Sequence, residues 1–395
     1  MNNFFGSSEK HPAKWGLVLS GGGTKGAYEV GVWRAIRELK IPIRGIAGTS
    51  IGALNAAMFL CCDMKHIESI YKNIKLSDVL PVSGGIDPEK NVFDPSNLLA
   101  ISMDFFRQHG LDNAPLRRML EMHLDIRKIY ASPLDLGIVT YDVPTRDAFQ
   151  LFKEDIEPEK LIDYLLASAN FPIYKTQNVD GRHFLDGGLY DNIPFNPLIG
   201  RGYTHLIGVD INGMGQTRKM ENADKVYLHM ITCSENLGGT FEFNPKRIRR
   251  NMLLGYLDTL KAFHKLFGNY FFFRRPAFND LLTRFDLETI QGLEKAGKLF
   301  EMDRMRIYRA EDFLTELENR YAETEKKYFV KYGSPSRKPG VAKLRRLMTT
   351  EEGLSAAVQF FTEQPAIHTT PFVKASIDLR DAAKAIIALK NYRKL

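Results

Sequence analysis

The chain has few cysteines and no long hydrophobic stretch. Only three of its 395 residues are cysteine, which is too few for a disulfide framework and implies a reducing compartment. The spacing of these residues, Cys61, Cys62 and Cys233, suits no zinc site. No apolar stretch reaches the roughly 18 residues of a membrane-spanning helix, and residues 1–14 form a short polar extension rather than a secretory signal. The sequence therefore predicts a soluble, cytoplasmic protein.

Neither sign of charge is in large excess. The chain has 54 Lys and Arg residues against 47 Asp and Glu residues, and 44% of its residues are hydrophobic. This composition is ordinary for a globular protein, and 395 residues allow one large domain with an appendage. The net charge of +7 predicts mild attraction to anionic surfaces, or only a solvated surface with surplus lysine. No nucleic-acid partner is predicted.

Two strand–turn–helix patterns follow each other near the N-terminus. The first apolar strand, Leu17–Leu19, leads into the glycine-rich turn Gly21–Gly26 and then into a helical pattern. The second strand, Arg44–Ala47, ends in Gly48–Gly52, and another helix begins at once. Further along, apolar strands such as Leu206–Ile211 alternate with helical segments. This alternation predicts an α/β/α sandwich with a mostly parallel central sheet.

The second turn has the Gly-x-Ser-x-Gly pattern of a nucleophile elbow. Ser50 stands between Gly48 and Gly52, in a turn so tight that side chains at the two flanking positions would collide. Its hydroxyl is expected at the carboxyl end of the sheet and at the N-terminus of the next helix, where free amides favour negative charge. Chance matches to this pattern are common, so the strand–turn–helix context is what makes Ser50 a candidate nucleophile.

The first turn, Gly21–Gly26, allows two interpretations. It matches the dinucleotide-binding fingerprint, but the next strand ends in Ala47–Ser50 without the carboxylate that would bind a ribose. A phosphate-binding P-loop does not fit either, because Ala27 and Tyr28 follow the last glycine. The other interpretation is an oxyanion hole, in which uncovered glycine amides stabilise a developing negative charge. It accounts for both turns together, and a nucleotide-binding protein remains the weaker alternative.

The two turns resemble motifs of the patatin-like phospholipase family. The first motif, Gly-Gly-Gly-x-Lys-Gly, includes Lys25 and Gly26, and the second is Gly-Thr-Ser-x-Gly-Ala at residues 48–53. A third motif, Asp-Gly-Gly, is present as Asp186, Gly187 and Gly188. The stretch Ala167–Pro172 is a softer match to the small residues that precede Asp-Gly-Gly in the family. The resemblance covers about residues 15–235, and residues 276–395 carry no identified family motif.

This resemblance implies a serine lipid acyl hydrolase with a three-layer α/β/α patatin-like fold. In the implied Ser–Asp dyad, Asp186 takes the proton of Ser50 directly, and an acyl-enzyme forms that water hydrolyses. The implied substrates are membrane phospholipids or other acyl lipids, as for a phospholipase A, a lysophospholipase or another carboxylic ester hydrolase. No metal, no calcium and no cofactor is implied. The oxyanion would be held by backbone amides of Gly21, Gly22, Gly23 and Ile51.

A conventional Ser–His–Asp triad is the alternative, for an esterase or lipase acting on soluble or neutral esters. Histidines follow Asp186 in the chain order of the α/β-hydrolases, and another histidine lies three residues before it. None of them lies in a glycine-marked turn, so we expect each to be structural. The candidates are His183, His205, His229 and His264.

The chain is expected to divide after residue 275. A catalytic domain is predicted over residues 15–275, and a charged, helical C-terminal region over residues 276–395 would cover the active site, form a homo-oligomer or bind a regulator. The basic and aromatic residues 246–275 allow either an interfacial helix on an anionic bilayer or a helix packed on the sheet. Peripheral membrane contact is expected for the active enzyme. Packing is favoured by a helical stripe of Leu253, Leu254, Leu257 and Leu260, and the run Phe271–Phe273 fits neither alternative.

Overall fold

The computed structural model describes residues 14–81, 110–332, 351–363 and 377–394. These residues belong to two compact units, Met1–Ala262 and Phe263–Leu395. The predicted N-terminal extension lies outside the described residues except for Lys14. No helix among the described residues has an apolar stretch long enough to span a bilayer.

The first unit is built on an eight-stranded sheet. Its strands are β1 (Trp15–Leu19), β2 (Ile43–Thr49), β3 (Asp135–Asp142), β4 (Asp147–Phe152), β5 (Gln177–Val179), β6 (Arg182–Asp186), β7 (His205–Asp210) and β8 (Tyr227–Thr232). They are arranged in the order β5-β6-β3-β2-β1-β7-β8, with β4 also paired to β3. The neighbouring strands β3, β2, β1, β7 and β8 pair in the parallel sense. Strands β4 and β6 pair antiparallel to β3, and β5 pairs antiparallel to β6.

Helices connect and flank these strands. They are α1 (Ala27–Glu38), α2 (Ile51–Cys61), α3 (Met64–Asn73), α4 (Ala114–His123), α5 (Ile126–Ala131), α6 (Leu161–Ser168), α7 (Asn196–Gly200) and α8 (Pro245–Ala262). Every residue of β1 is buried, as expected for a central strand of a parallel sheet that is covered on both faces. The predicted α/β class with a mostly parallel central sheet is confirmed.

The glycine-rich turn and the nucleophile elbow leave the sheet at the same edge. In the register of the parallel strands β1 and β2, Leu19 lies beside Gly48. Leu19 also lies beside Val209 of β7 on its other side. Because parallel strands have their carboxyl ends at one edge, the turns that follow β1 and β2 are brought together there.

The second unit combines short strands with helices. Its strands β9 (Leu266–Phe267), β10 (Phe272–Arg274) and β11 (Ile307–Tyr308) form a three-stranded sheet. Its helices are α9 (Arg275–Arg284), α10 (Leu287–Leu299), α11 (Ala310–Tyr332), α12 (Glu351–Glu363) and α13 (Ile377–Tyr392). Aromatic and aliphatic side chains from these helices and from the segment before α9 form a separate hydrophobic core.

The basic and aromatic segment 246–275 is divided between the two units. In α8 the predicted stripe is buried at Leu254, Leu257 and Leu260, whereas Leu253 is exposed. The run Phe271–Phe273 is fully buried, and two of its three rings lie in the core of the second unit. None of these three aromatic side chains is therefore available to a bilayer. The division between the two units falls between Ala262 and Phe263 in the chain, not after residue 275, and the phenylalanine run contributes to the core formed by the C-terminal helices.

Candidate active site

Ser50 lies in a strained turn between β2 and α2. Its backbone angles are φ 56° and ψ −127°, a conformation that non-glycine residues rarely adopt outside functional sites. A Cβ on Gly48 would lie 2.3 Å from the carbonyl carbon of Gly52, and a Cβ on Gly52 would lie 2.5 Å from the carbonyl oxygen of Leu19. These contacts give the physical reason why both positions that flank the serine are glycine.

The hydroxyl of Ser50 points at a buried carboxylate. Ser50 Oγ donates to Oδ2 of Asp186 over 2.7 Å, although the two residues are 136 positions apart. Asp186 ends β6, and its Oδ1 accepts from the Gly188 amide at 2.8 Å. The Asp-Gly-Gly turn therefore holds one carboxylate oxygen and presents the other to the serine.

Burial sets the acidity of this carboxyl group. Asp186 is only 6% exposed, and desolvation raises its pKa to about 6 even though hydrogen bonds from Ser50 and Gly188 act in the opposite direction. A carboxylate with a pKa near neutrality is a better proton acceptor than an exposed aspartate, and it is still mostly ionised at pH 7. Asp186 therefore has the properties of a general base for the Ser50 hydroxyl.

Ser168, the last residue of α6, supports the elbow, a role that sequence reasoning missed. Its Oγ accepts from the Ser50 amide at 2.9 Å and donates to the Val139 carbonyl at 2.6 Å. Ser168 belongs to the small-residue stretch of residues 167–172, whose pattern gave no indication of this contact. The hydrogen bond keeps the Ser50 amide away from the substrate side, so that amide is not a donor for the oxyanion.

Residues Ser20–Gly26 form the glycine loop, and hydrogen bonds to Asn192 hold one end of it in place. The Gly21 amide donates to the Asn192 carbonyl at 3.1 Å, and Nδ2 of Asn192 donates back to the Gly21 carbonyl at 3.3 Å. The expectation that Gly21 supplies an oxyanion donor is therefore wrong, because its amide is already used. Among the described residues, no acceptor is found for the amides of Gly22, Gly23 or Ile51.

The other motif residues of this loop and of the Asp-Gly-Gly turn are structural. Lys25 Nζ donates to the Asn212 carbonyl at 2.7 Å, and burial lowers the pKa of this lysine. A Cβ on Gly26 would lie 2.5 Å from Cγ1 of Ile51. A Cβ on Gly187 would lie 2.2 Å from the Val139 carbonyl oxygen. Gly26 therefore allows close approach of side chains from α2 and α3, and Gly187 allows close approach of the β3 backbone, which the motif spacing alone did not reveal.

An apolar cavity of about 310 Å³ opens beside Ser50 and Asp186. This volume is at the lower end of the range for small-molecule sites, about 300–1,000 Å³. Ser50 and, on successive turns of α2, Leu54 and Met58 line its wall, and α3 and α4 contribute further apolar side chains. The cavity therefore begins at Ser50 and continues along α2.

None of the candidate histidines in the first unit joins this site. His183 is exposed on β6, and His205 lies at the start of β7 with its ring centroid 5.0 Å from that of Trp15, at the opposite end of the sheet from Ser50. His229 lies on the edge strand β8, and His264 belongs to the second unit. Among the described residues that line the cavity there is no histidine, and no group of three or more His, Cys, Asp or Glu side chains in the described ranges could hold a metal ion.

Comparisons with known proteins agree with these motifs. Residues 17–199 match the family model described as Patatin-like phospholipase. The chain is similar to Lysophospholipase NTE1 of Candida glabrata, with 25% identity over 63% of this chain and 14% of that relative. Patatin-like phospholipase domain-containing protein 7 of Mus musculus is 26% identical over 51% of this chain and 14% of its own length. The chain therefore spans only a small part of the curated relatives that it matches.

A similar solved structure is VipD from Legionella pneumophila. It is 13% identical, with a TM-score of 0.41 over 96% of this chain and 90% of that chain. A TM-score this low does not itself establish a shared fold, so the assignment rests on the family model. Residues 17–199 of the chain therefore match a patatin-like phospholipase domain.

Proposed function

We propose that the first unit is a serine lipid acyl hydrolase that uses a Ser–Asp dyad. The observation that carries this proposal is the 2.7 Å hydrogen bond from Ser50 Oγ to the buried Asp186, beside an apolar cavity. The lysophospholipase relatives and the family model support a lipid ester as the substrate. A conventional triad is less well supported, because no histidine among the described cavity-lining residues accompanies the pair.

The reaction proceeds in two acyl-transfer steps. Asp186 Oδ2 takes the Ser50 proton as Oγ attacks the acyl carbonyl carbon, and the protonated Asp186 then gives that proton to the leaving alcohol oxygen. In the second step, water transfers a proton to Asp186 and attacks the acyl-Ser50 ester. The fatty acid leaves, and Oγ recovers the proton. The chemistry needs a single group that accepts a proton when the nucleophile attacks and donates it when the leaving group departs. It does not require calcium.

The tetrahedral intermediate needs hydrogen-bond donors for its negative oxygen. We assign this role to the amides of Gly22, Gly23 and Ile51, which have no protein acceptor among the described residues. Ile51 begins α2, so its amide is one of the free N–H groups at a helix N-terminus, where negative charge is favoured. Removing one such donor costs about 10²–10³-fold in kcat in a serine protease.

The acyl chain is assigned to the apolar cavity. Burying each methylene of a fatty acyl chain contributes about 0.8 kcal/mol, so an apolar channel favours long acyl groups over acetyl esters. The expected substrates are phospholipids, lysophospholipids or related glycerolipids. A p-nitrophenyl ester series of increasing acyl length, followed by a panel of phospholipids and neutral glycerides with and without a calcium chelator, tests this assignment. Activity confined to acetyl esters, or activity lost in the chelator and restored by calcium, would contradict it.

The pH dependence of hydrolysis provides a first prediction. Because Asp186 must be ionised to accept the Ser50 proton, and burial raises its pKa to about 6, kcat/KM is expected to fall below pH 6 by about tenfold per pH unit. Above about pH 7 the profile should be flat. A histidine base would titrate in a similar range, so the same profile is also measured in His183→Ala, His205→Ala, His229→Ala and His264→Ala. Full activity at pH 4.5 would contradict a base with this pKa.

The cavity mouth suggests how the enzyme approaches a lipid surface. Leu189 is 41% exposed and Met214 is 59% exposed, and both side chains line the cavity. The basic residues Arg218 and Lys219, a few positions after Met214, are also exposed. We propose that this rim, made of Leu189, Met214, Arg218 and Lys219, contacts an anionic bilayer in place of the buried phenylalanine run.

A second prediction follows for the rim. The double variant Leu189→Ser/Met214→Ser should bind anionic phospholipid vesicles about tenfold more weakly, because two exposed apolar side chains no longer enter the interface. Vesicle pelleting measures this effect, and added salt should weaken the binding of the native protein. The matched control is Met122→Ser, which removes a 76% exposed methionine in α4 that does not line the cavity. Equal vesicle binding by the native protein, the double variant and Met122→Ser would show that the rim does not contact the bilayer.

A further inference from the structure

A buried polar cluster lies behind the glycine loop, and the catalytic scheme does not use it. Glu29 of α1 and Asn55 of α2 are both fully buried, and Asn55 Nδ2 donates to Glu29 Oε2 at 2.7 Å. The hydroxyl of Tyr71, from α3, donates to Asn55 Oδ1 at 2.6 Å. Burying so many polar groups carries a desolvation cost, and apolar side chains would fill the same space without it.

Asn55 connects the two parts of the expected oxyanion hole. Its Nδ2 also donates to the carbonyl oxygen of Gly26 at 3.1 Å, at the end of the glycine loop. Asn55 belongs to the helix that starts directly after Ser50, and Gly26 lies so close to Ile51 that a Cβ there would be 2.5 Å from the Ile51 side chain. One amide group therefore fixes the loop that contains Gly22 and Gly23 against the first turn of α2.

Glu29 orients this amide. Burial raises the pKa of Glu29 well above its ordinary value, and the hydrogen bond from Asn55 offsets this only in part. The neutral acid is therefore favoured, and glutamine is its nearest substitute. Gly26 ends the glycine loop, so the Glu29–Asn55 pair contacts the loop at that end, through the hydrogen bond from Asn55 to the Gly26 carbonyl.

We propose that Glu29 and Asn55 are positioning residues that set the spacing between the amides of Gly22 and Gly23 and the amide of Ile51. The inference rests on the proposed acyl transfer, since it concerns the donors for the oxyanion in that reaction. Tyr71 joins the pair to the cavity wall, because its side chain lines the cavity while its hydroxyl donates to Asn55. Loss of the pair should affect the chemical step more than substrate binding.

The test compares Glu29→Gln, Glu29→Leu and Tyr28→Phe in ester hydrolysis. Glu29→Gln should keep kcat within about fivefold of the native value. Glu29→Leu should lower kcat about 100-fold with KM within about threefold, because misplacing an oxyanion donor affects the transition state and not the ground state. Tyr28→Phe is the matched control, since Tyr28 is the buried neighbour of Glu29 in α1 and its hydroxyl donates to Asp258, at 3.0 Å, instead of contacting the loop. Its kcat should be unchanged.

A second measurement keeps the test decisive if Glu29→Leu does not fold. Asn55→Ser removes the contact to Gly26, and it should lower kcat similarly and increase amide hydrogen exchange in the peptide that covers residues 20–28. Unchanged kcat and exchange in a folded Asn55→Ser or Glu29→Leu protein would overturn the proposal, as would equal losses in Tyr28→Phe. If the native protein neither hydrolyses esters nor reacts with a fluorophosphonate, the proposed function fails, and the exchange measurement still decides whether the pair holds the loop.

Discussion

Replacing Asp186 with asparagine is expected to reduce kcat for ester hydrolysis by at least about 10⁴-fold, close to the effect of removing Ser50 itself. Asparagine preserves the shape of the side chain but cannot accept the Ser50 proton, and no other base among the described cavity-lining residues contacts that hydroxyl. Removing the base of a catalytic triad is about as harmful as removing its nucleophile. Steady-state kinetics with a p-nitrophenyl fatty ester measure the loss.

The same substitution should stabilise the fold at neutral pH. The pKa of Asp186 is about 6 in the native protein, against an ordinary value of 3.8, so its ionisation is less favourable in the folded chain than in the unfolded chain. The favourable contribution of the protonated group is complete below about pH 4 and is lost as the pH rises through 6. At pH 8, Asp186→Asn should therefore raise the free energy of unfolding, by on the order of 3 kcal/mol at most. Thermal melts at pH 4 and pH 8 test this, and an inactive variant that melts lower at pH 8 would contradict the assignment.

Ser50→Ala is expected to abolish hydrolysis, with a loss on the order of 10⁶-fold as in the serine-protease case. Alanine keeps the strained turn but lacks the oxygen that would form the acyl-enzyme, so the variant should remain folded and yet fail to react. The matched control is Ser69→Ala, a serine in α3 that does not line the cavity, and it should retain native kinetics. Circular dichroism checks the fold of both proteins. Hydrolysis by Ser50→Ala above about one-thousandth of the native rate would exclude Ser50 as the nucleophile.

The central features of the site were predictable because they are local or follow from strand direction. The glycines that flank Ser50 mark a turn that only small residues can form, and parallel strands bring the two glycine-rich turns to one edge. The contact between Asp186 and Ser50 joins residues 136 positions apart, and neither periodicity nor composition predicts such a contact. Its motif became interpretable only through the family resemblance.

The oxyanion assignment was only partly predictable for a related reason. A run of glycines indicates that amides are uncovered by side chains, but it does not say which amides are already bonded. The Gly21 amide is taken by the Asn192 carbonyl, and the Ser50 amide by Ser168, through contacts that are distant in sequence. The role of Asn55 was missed as well, because a single asparagine in an apolar helix belongs to no motif and changes no periodicity that could be recognised in the sequence.

The segment 246–275 shows the limit of an amphipathic pattern. Basic and aromatic residues in one stretch suit a bilayer surface and a protein core equally well, since the pattern does not specify what covers the apolar side. Here the phenylalanine run is covered by helices more distant in the sequence, such as α11, whose Phe313 ring centroid lies 5.1 Å from that of Phe271. This packing also explains why the second unit starts earlier than the change in composition suggests.

The most direct test of the Ser–Asp assignment is the rate at which a fluorophosphonate modifies Ser50, followed by peptide mass mapping, in Asp186→Asn and in the four single histidine-to-alanine variants. A Ser–Asp dyad predicts one adduct, on Ser50, that forms at least about 1,000-fold more slowly in Asp186→Asn and within about tenfold of the native rate in each histidine variant. An adduct on another serine would contradict the nucleophile. Labelling that is normal in Asp186→Asn but lost in a folded His183→Ala, His205→Ala, His229→Ala or His264→Ala protein would show that a histidine, and not Asp186, is the base.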